Sequence, residues 1–127
     1  MKILYAAQNN FNAKIQLKRF LQAMNGSHHT IKIAAYKNYS PNEFSIDWTL
    51  DCLNNLYRPE HFSLQDNDNL LTYFKQIEYY APDIIISDLE HFTSYIANIL
   101  NIKLLQCSSS LINHAIIYEE KYNLGLF

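Results

Sequence analysis

Two carboxylates and an imidazole, Asp88, Glu90 and His91, follow directly on the apolar run Ile84-Ile85-Ile86. Such groups can take, hold or orient a proton. Behind a second apolar run, Lys2 to Ala7, come Gln8, Asn9, Asn10 and Asn12. Behind a third, Lys103 to Cys107, come Ser108, Ser109, Ser110, Asn113 and His114. These amides and hydroxyls can hydrogen-bond a ligand. Each group also has a structural use. Asp88 or Glu90 can cap the helix that contains Tyr95. The three serines can satisfy backbone groups in a tight loop, and His114 can be a packed or surface residue of a helix.

The elements around these groups follow from apolar spacing. Lys2 to Ala7 reads as a buried strand running into a polar loop. Ala13, Leu17, Phe20, Leu21 and Met24 follow helical spacing, with Asn12 as N-cap and Gly26 as the stop. Thr30 to Ala35 is a second strand, which completes a βαβ unit with parallel strands. Ile46, Leu50, Leu53 and Tyr57 predict a helix after Pro41 that stops before Pro59, and residues 61–64 a short third strand.

Asp66, Asn67 and Asp68 offer caps for a helix whose apolar face is Leu70, Phe74 and Ile77. Pro82 ends it, because proline disfavours helical geometry in the residue before it. Residues 83–88 form an unbroken β-branched run with polar ends, the pattern of a central parallel strand. Phe92, Tyr95, Ile96, Ile99 and Leu100 make a helical stripe, Lys103 to Cys107 a strand, and residues 111–122 an amphipathic helix.

Together these predict one α/β domain over residues 1–127, a Rossmann-like three-layer arrangement with a mostly parallel sheet of about five strands. Ligands of such sheets bind beyond the carboxyl ends of the strands. That rule selects residues 8–12, the segment after Ala35, residues 87–91 and residues 108–114, and a parallel sheet brings them to one rim. His28 and His29 precede the second strand and fall on the opposite rim. The apolar end, Leu124-Gly125-Leu126-Phe127, would lie exposed on a frayed terminus. It is expected either to pack back or to continue into further chain.

Composition removes several functions. A net charge of −2 gives no basic footprint for nucleic acid, and Lys14, Lys18 and Arg19 read as a solvated helix face. The ten tyrosines are not interleaved with cations. The two cysteines, Cys52 and Cys107, lack metal spacing and are expected to be reduced and buried. No apolar stretch reaches the roughly 7–15 residues of a signal peptide or the about 20 of a spanning helix, so the cytoplasm or its membrane face is the expected address. Dinucleotide, Walker, nucleophile-elbow and zinc motifs are all missing, and neither a metal nor a cofactor is expected.

Two segments resemble a known family. Met1-Lys2-Ile3-Leu4-Tyr5-Ala6, with the polar loop and helix after it, is similar to the opening of GT-B glycosyltransferases. Pro82-Asp83-Ile84-Ile85-Ile86-Ser87-Asp88-Leu89-Glu90 resembles a strand of the same enzymes' N-terminal half, and the segment from Ser94 to Lys103, a helix ending just before the next strand, matches their progression. The resemblance implies the acceptor-side half of a two-domain enzyme, whose other half binds a nucleotide-sugar donor. It is compatible with peripheral membrane association, and it implies inactivity without the donor half.

Relatives often carry glycines and a histidine in the first loop, where this chain has Gln8-Asn9-Asn10-Phe11-Asn12. Asp88, Glu90 and His91 are therefore the candidate bases. Asn9, Asn10 and Asn12 suit sugar or phosphate oxygens, and Ser108, Ser109, Ser110 and His114 complete the expected acceptor contacts. Two other readings stand beside this one. One is a flavodoxin-like binding or regulatory module. The other is a non-catalytic interaction domain using Tyr79, Tyr80, Tyr118 and Tyr122.

Overall fold

An apolar run can be buried on both faces only in the interior of a sheet, and β1, Lys2–Ala7, lies there, buried from Ile3 onward. It pairs in parallel with β2, Thr30–Ala35, on one side and with β4, Ile84–Asp88, on the other. The short β3, Trp48–Thr49, extends the sheet beyond β2, and β5, Lys103–Cys107, extends it beyond β4. The order is β3-β2-β1-β4-β5, with all four pairings parallel. The computed structural model describes residues 1–39, 45–53 and 67–107.

Residues in register on parallel strands share a face of the sheet. Tyr5, in register with Ile33 and Ile86, meets Phe20 of helix α1, Phe11–Ala23, at 4.8 Å between ring centroids. Lys32, in register with Leu4, is on the other face and lies 5.0 Å from the ring of Tyr80 in helix α2, Asp68–Tyr80. Helix α3, His91–Leu100, joins α2 there through Tyr73 Oη and Thr93 Oγ1, 2.6 Å apart. The layers are therefore α1, sheet, and α2 with α3. This is the expected Rossmann-like α/β arrangement, with Leu4, Leu17, Phe20, Ile77, Ile85 and Ile96 in its core.

Several local expectations need correction. Ile46, Leu50 and Leu53 do not lie on a helix: Trp48–Thr49 is a strand, and Asp51–Leu53 is a single 3-10 turn. Pairing to β2 and the edge-on contacts of Trp48 with Tyr73 and Tyr80, at 6.1 and 6.0 Å, outweigh the local spacing. Helix α1 is capped by Asn10 rather than Asn12, and it ends at Ala23, with Gly26 left-handed in the turn beyond. Asn67 caps α2, whose buried stripe is Leu70, Tyr73, Ile77 and Tyr80. Ala81, before Pro82, takes the left-handed conformation and closes that helix. Cys52 is exposed, not buried, because the turn points it away from Leu53 in the core. Tyr57, the strand expected at residues 61–64, the helix at residues 111–122, Tyr118, Tyr122 and the apolar end lie outside the described residues.

Candidate functional site

Strand order reverses between β1 and β4, because β1 leads through α1 to β2 on one side while β4 lies on the other. The crevice beyond their carboxyl ends is the natural ligand position of such a sheet. Gln8 holds it together. Its Nε2 donates to the carbonyl of Leu89 at 2.6 Å, its Oε1 accepts from Asn10 Nδ2 at 3.0 Å, and its own carbonyl accepts from the Tyr39 hydroxyl. Three loops, those after β1, β2 and β4, are thereby tied to one residue. Burial, with a smaller contribution from the charge of Asp88, raises the Tyr39 phenol, so it stays protonated and able to donate. Asn10 Oδ1 accepts from Ala13 N at 2.7 Å, so this amide secures the start of α1.

The loop after β4 is a built turn. Ser87 is buried, and its Oγ lies 2.9 Å from Glu90 N, which donates to it, and 3.0 Å from the Glu90 carbonyl. Ser94 Oγ stands 3.0 Å from Ser87 Oγ, 2.8 Å from the Glu90 carbonyl and 2.6 Å from Gln106 Oε1, and its single hydrogen serves one of them at a time. Glu90 is only 3% exposed and is the N-cap of α3. Its two oxygens accept from Phe92 N at 3.1 Å and Thr93 N at 2.6 Å. Burial nevertheless raises its carboxyl above the ordinary value, against the pull of those bonds and of the neighbouring His91. Below it lie two phenols that feel its charge: Tyr73, raised chiefly by burial, and Tyr36, pushed up to about 12 by burial and then by Glu90 and Asp51.

Asp88 is buried at the end of β4 on the α1 face, in register with Ala7. His91 is exposed at the first position of α3. Asn9 and Asn12 are exposed in the first loop and the first turn of α1. The structure thus brings the loops carrying Asn9, Asn10 and Asn12 and those carrying Asp88, Glu90 and His91 to one rim. Ser108, Ser109, Ser110 and His114 lie outside the described residues.

The sequence reading named neither Tyr36 nor Tyr39, although both follow Ala35 in a segment that the strand-end rule selects. It also missed the linking role of Gln8 and the exposed Phe11 and Leu89. A separate cleft of about 320 Å³ lies between β3 and α2, lined by Trp48, Cys52, Asn69, Thr72, Tyr73 and Gln76 among others. No helix among the described residues is long and apolar enough to cross a membrane.

No protein-family model and no curated protein matches the sequence. Solved structures do match in fold. Spinosyn forosaminyltransferase SpnP is 17% identical with a TM-score of 0.55, over 84% of this chain and 30% of that one. UDP-GlcNAc 2-epimerase from Neisseria meningitidis, bound to UDP-GlcNAc, is 18% identical with a TM-score of 0.56, over 84% and 31%. Glycosyltransferase VinC, in complex with dTDP, is 15% identical with a TM-score of 0.51, over 84% and 34%. The chain spans about a third of the length of each. Its five parallel strands and flanking helices have the fold of a GT-B-like N-terminal domain.

Proposed function

We propose that this chain is the acceptor-side half of a glycosyltransferase, working with a donor-binding half that supplies the nucleotide sugar. The likeness of fold to two glycosyltransferases, over about a third of their length, carries the reading. The rim between β1 and β4 is where the acceptor would sit. Of the three candidate bases, His91 alone is exposed. It takes the proton of the acceptor hydroxyl as the oxygen bonds to the anomeric carbon and the nucleoside diphosphate departs with the electrons of the broken bond. Glu90, whose oxygens already serve the first turn of α3, positions His91. Asp88 lies buried at the end of β4, just before the loop that carries Glu90. The exposed Asn9 and Asn12 hydrogen-bond the acceptor.

The test uses the natural protein together with its donor half. Release of nucleoside diphosphate is followed with UDP- and dTDP-sugars in the presence of alcohol acceptors. His91→Ala should lower turnover by about 10²–10⁴-fold, the usual contribution of a positioned base. Unchanged turnover would remove His91 from the mechanism. The epimerase neighbour supports a second reading, a nucleotide-sugar epimerase of the same fold. An epimerase inverts a stereocentre of the nucleotide sugar without any acceptor, so dependence of turnover on acceptor separates the two.

A further inference from the structure

Three described residues other than glycine have positive φ: Ala81, Leu89 and Asn101. Ala81 and Asn101 are the C-caps of α2 and α3, where a left-handed residue routinely closes the last turn. Leu89 closes no helix. It precedes the N-cap Glu90, with φ at 55°. Leucine is disfavoured there because its Cβ crowds the following carbonyl, whereas glycine or asparagine would fit with less strain. Nor does its side chain staple the helix start, since the position it would pack against is Ser94. It is instead 41% exposed.

The neighbours impose this conformation. Gln8 grips the Leu89 carbonyl, and Ser87 grips both backbone groups of Glu90. Strain held in place by such a surround marks a side chain kept for a contact of its own. Phe11, 74% exposed, opens α1 directly after Asn10, which Gln8 ties to the same loop. Neither residues 8–12 nor residues 87–91 contain a lysine or arginine. Two side chains expose far less than the roughly 800 Å² per partner of a stable protein interface, and they flank the crevice beyond β1 and β4 where such sheets bind small ligands.

We infer that Phe11 and Leu89 are apolar contacts for the acceptor, which therefore carries a hydrocarbon or ring face beside its reacting hydroxyl. This rests on the transferase reading. The test titrates methyl β-D-glucoside and octyl β-D-glucoside, the latter below its micelle concentration, into the isotope-labelled chain and follows backbone amides by NMR. Octyl glucoside should shift amides of residues 8–12 and 87–91, and Phe11→Ser and Leu89→Asn should each weaken it about ten-fold. Tyr79→Ser, at a tyrosine 94% exposed on α2, should leave binding unchanged. Leu89→Asn should also raise the melting temperature by about 3–5 °C as the strain is relieved.

Equal affinity for the two glucosides, wild-type binding in both rim variants, or an equal loss in Tyr79→Ser would overturn the assignment. Acceptor-independent breakdown of nucleotide sugar by the natural protein, with the octyl contact intact and sensitive to both rim variants, would remove the transferase reading alone.

Discussion

At the amino end of the sheet, Tyr80 joins β1, β2 and α2, while at the carboxyl end Gln8 joins three loops and Glu90 caps α3. The Tyr80 hydroxyl lies 3.4 Å from the Ile3 carbonyl and 3.2 Å from that of Thr30, and its ring is flanked by the ammonium groups of Lys2 and Lys32 at 5.5 and 5.0 Å. Asp83 closes the same end, accepting from Lys2 N at 2.7 Å and donating to the Lys2 carbonyl at 2.8 Å. Its left-handed residues lie at helix ends: Ala81 and Asn101 are the C-caps of α2 and α3, and Gly26 turns the chain beyond α1. These contacts of Tyr80 and Asp83 hold the sheet.

The carboxyl end differs in kind. It buries a serine and two carboxylates, holds a leucine in a left-handed conformation, and leaves a phenylalanine in solvent. Packing alone would favour none of these choices, and they coincide with the switch point where such sheets bind ligands. At the amino end the contacts serve stability; at the carboxyl end the caps of Ser87 and Glu90 hold in place two exposed apolar side chains that packing does not explain.

Truncating each end in turn should separate them. Tyr80→Ala removes a buried aromatic side chain and should cost about 3–4 kcal/mol in urea unfolding while leaving the rim amides in place. A rim that collapses with it would mean the two ends are not independent. Ser87→Ala leaves the buried Glu90 N–H without its partner and should cost about 1–3 kcal/mol, with increased hydrogen exchange confined to the turn and the start of α3.

Glu90→Gln tests the buried carboxylate through pH. Its folded pKa is raised above the ordinary 4.5, so its contribution to stability is fully present below that value and is lost as pH rises through the folded pKa. The stability of the Gln variant relative to wild type should therefore improve as pH increases through the interval from 4.5 up to that raised value. A relative loss with rising pH would show that the capping bonds outweigh burial. The smallest effect is expected for His91→Ala, which should change stability by less than about 0.5 kcal/mol because the side chain is exposed.

Much of the scaffold was legible because its signals are local. The apolar runs at Lys2–Ala7, Thr30–Ala35 and Lys103–Cys107 coincide with β1, β2 and β5 residue for residue. The stripe from Phe92 to Leu100 is α3. The failure at Trp48–Thr49 has a physical source: Ile46, Leu50 and Leu53 are spaced as on a helix, but a two-residue edge strand is decided by its partner β2 and by Tyr73 and Tyr80 of α2. At the site, the strand-end rule found the loops but not their joints. Gln8 meets Leu89 across 81 positions, and no local pattern announces such a bond. Nor does spacing reveal the positive φ of Leu89 or which of Asp88, Glu90 and His91 reaches solvent.

The most direct test is hydrogen exchange by mass spectrometry on the natural protein, with and without a nucleotide sugar plus octyl β-D-glucoside. Added protection within this chain should appear at residues 8–12 and 87–94 and not at residues 80–84, where Tyr80 and Asp83 hold the amino end. Protection centred instead on Trp48, Asn69 and Gln76, around the cleft between β3 and α2, would place the ligand elsewhere and contradict the assignment of the carboxyl rim.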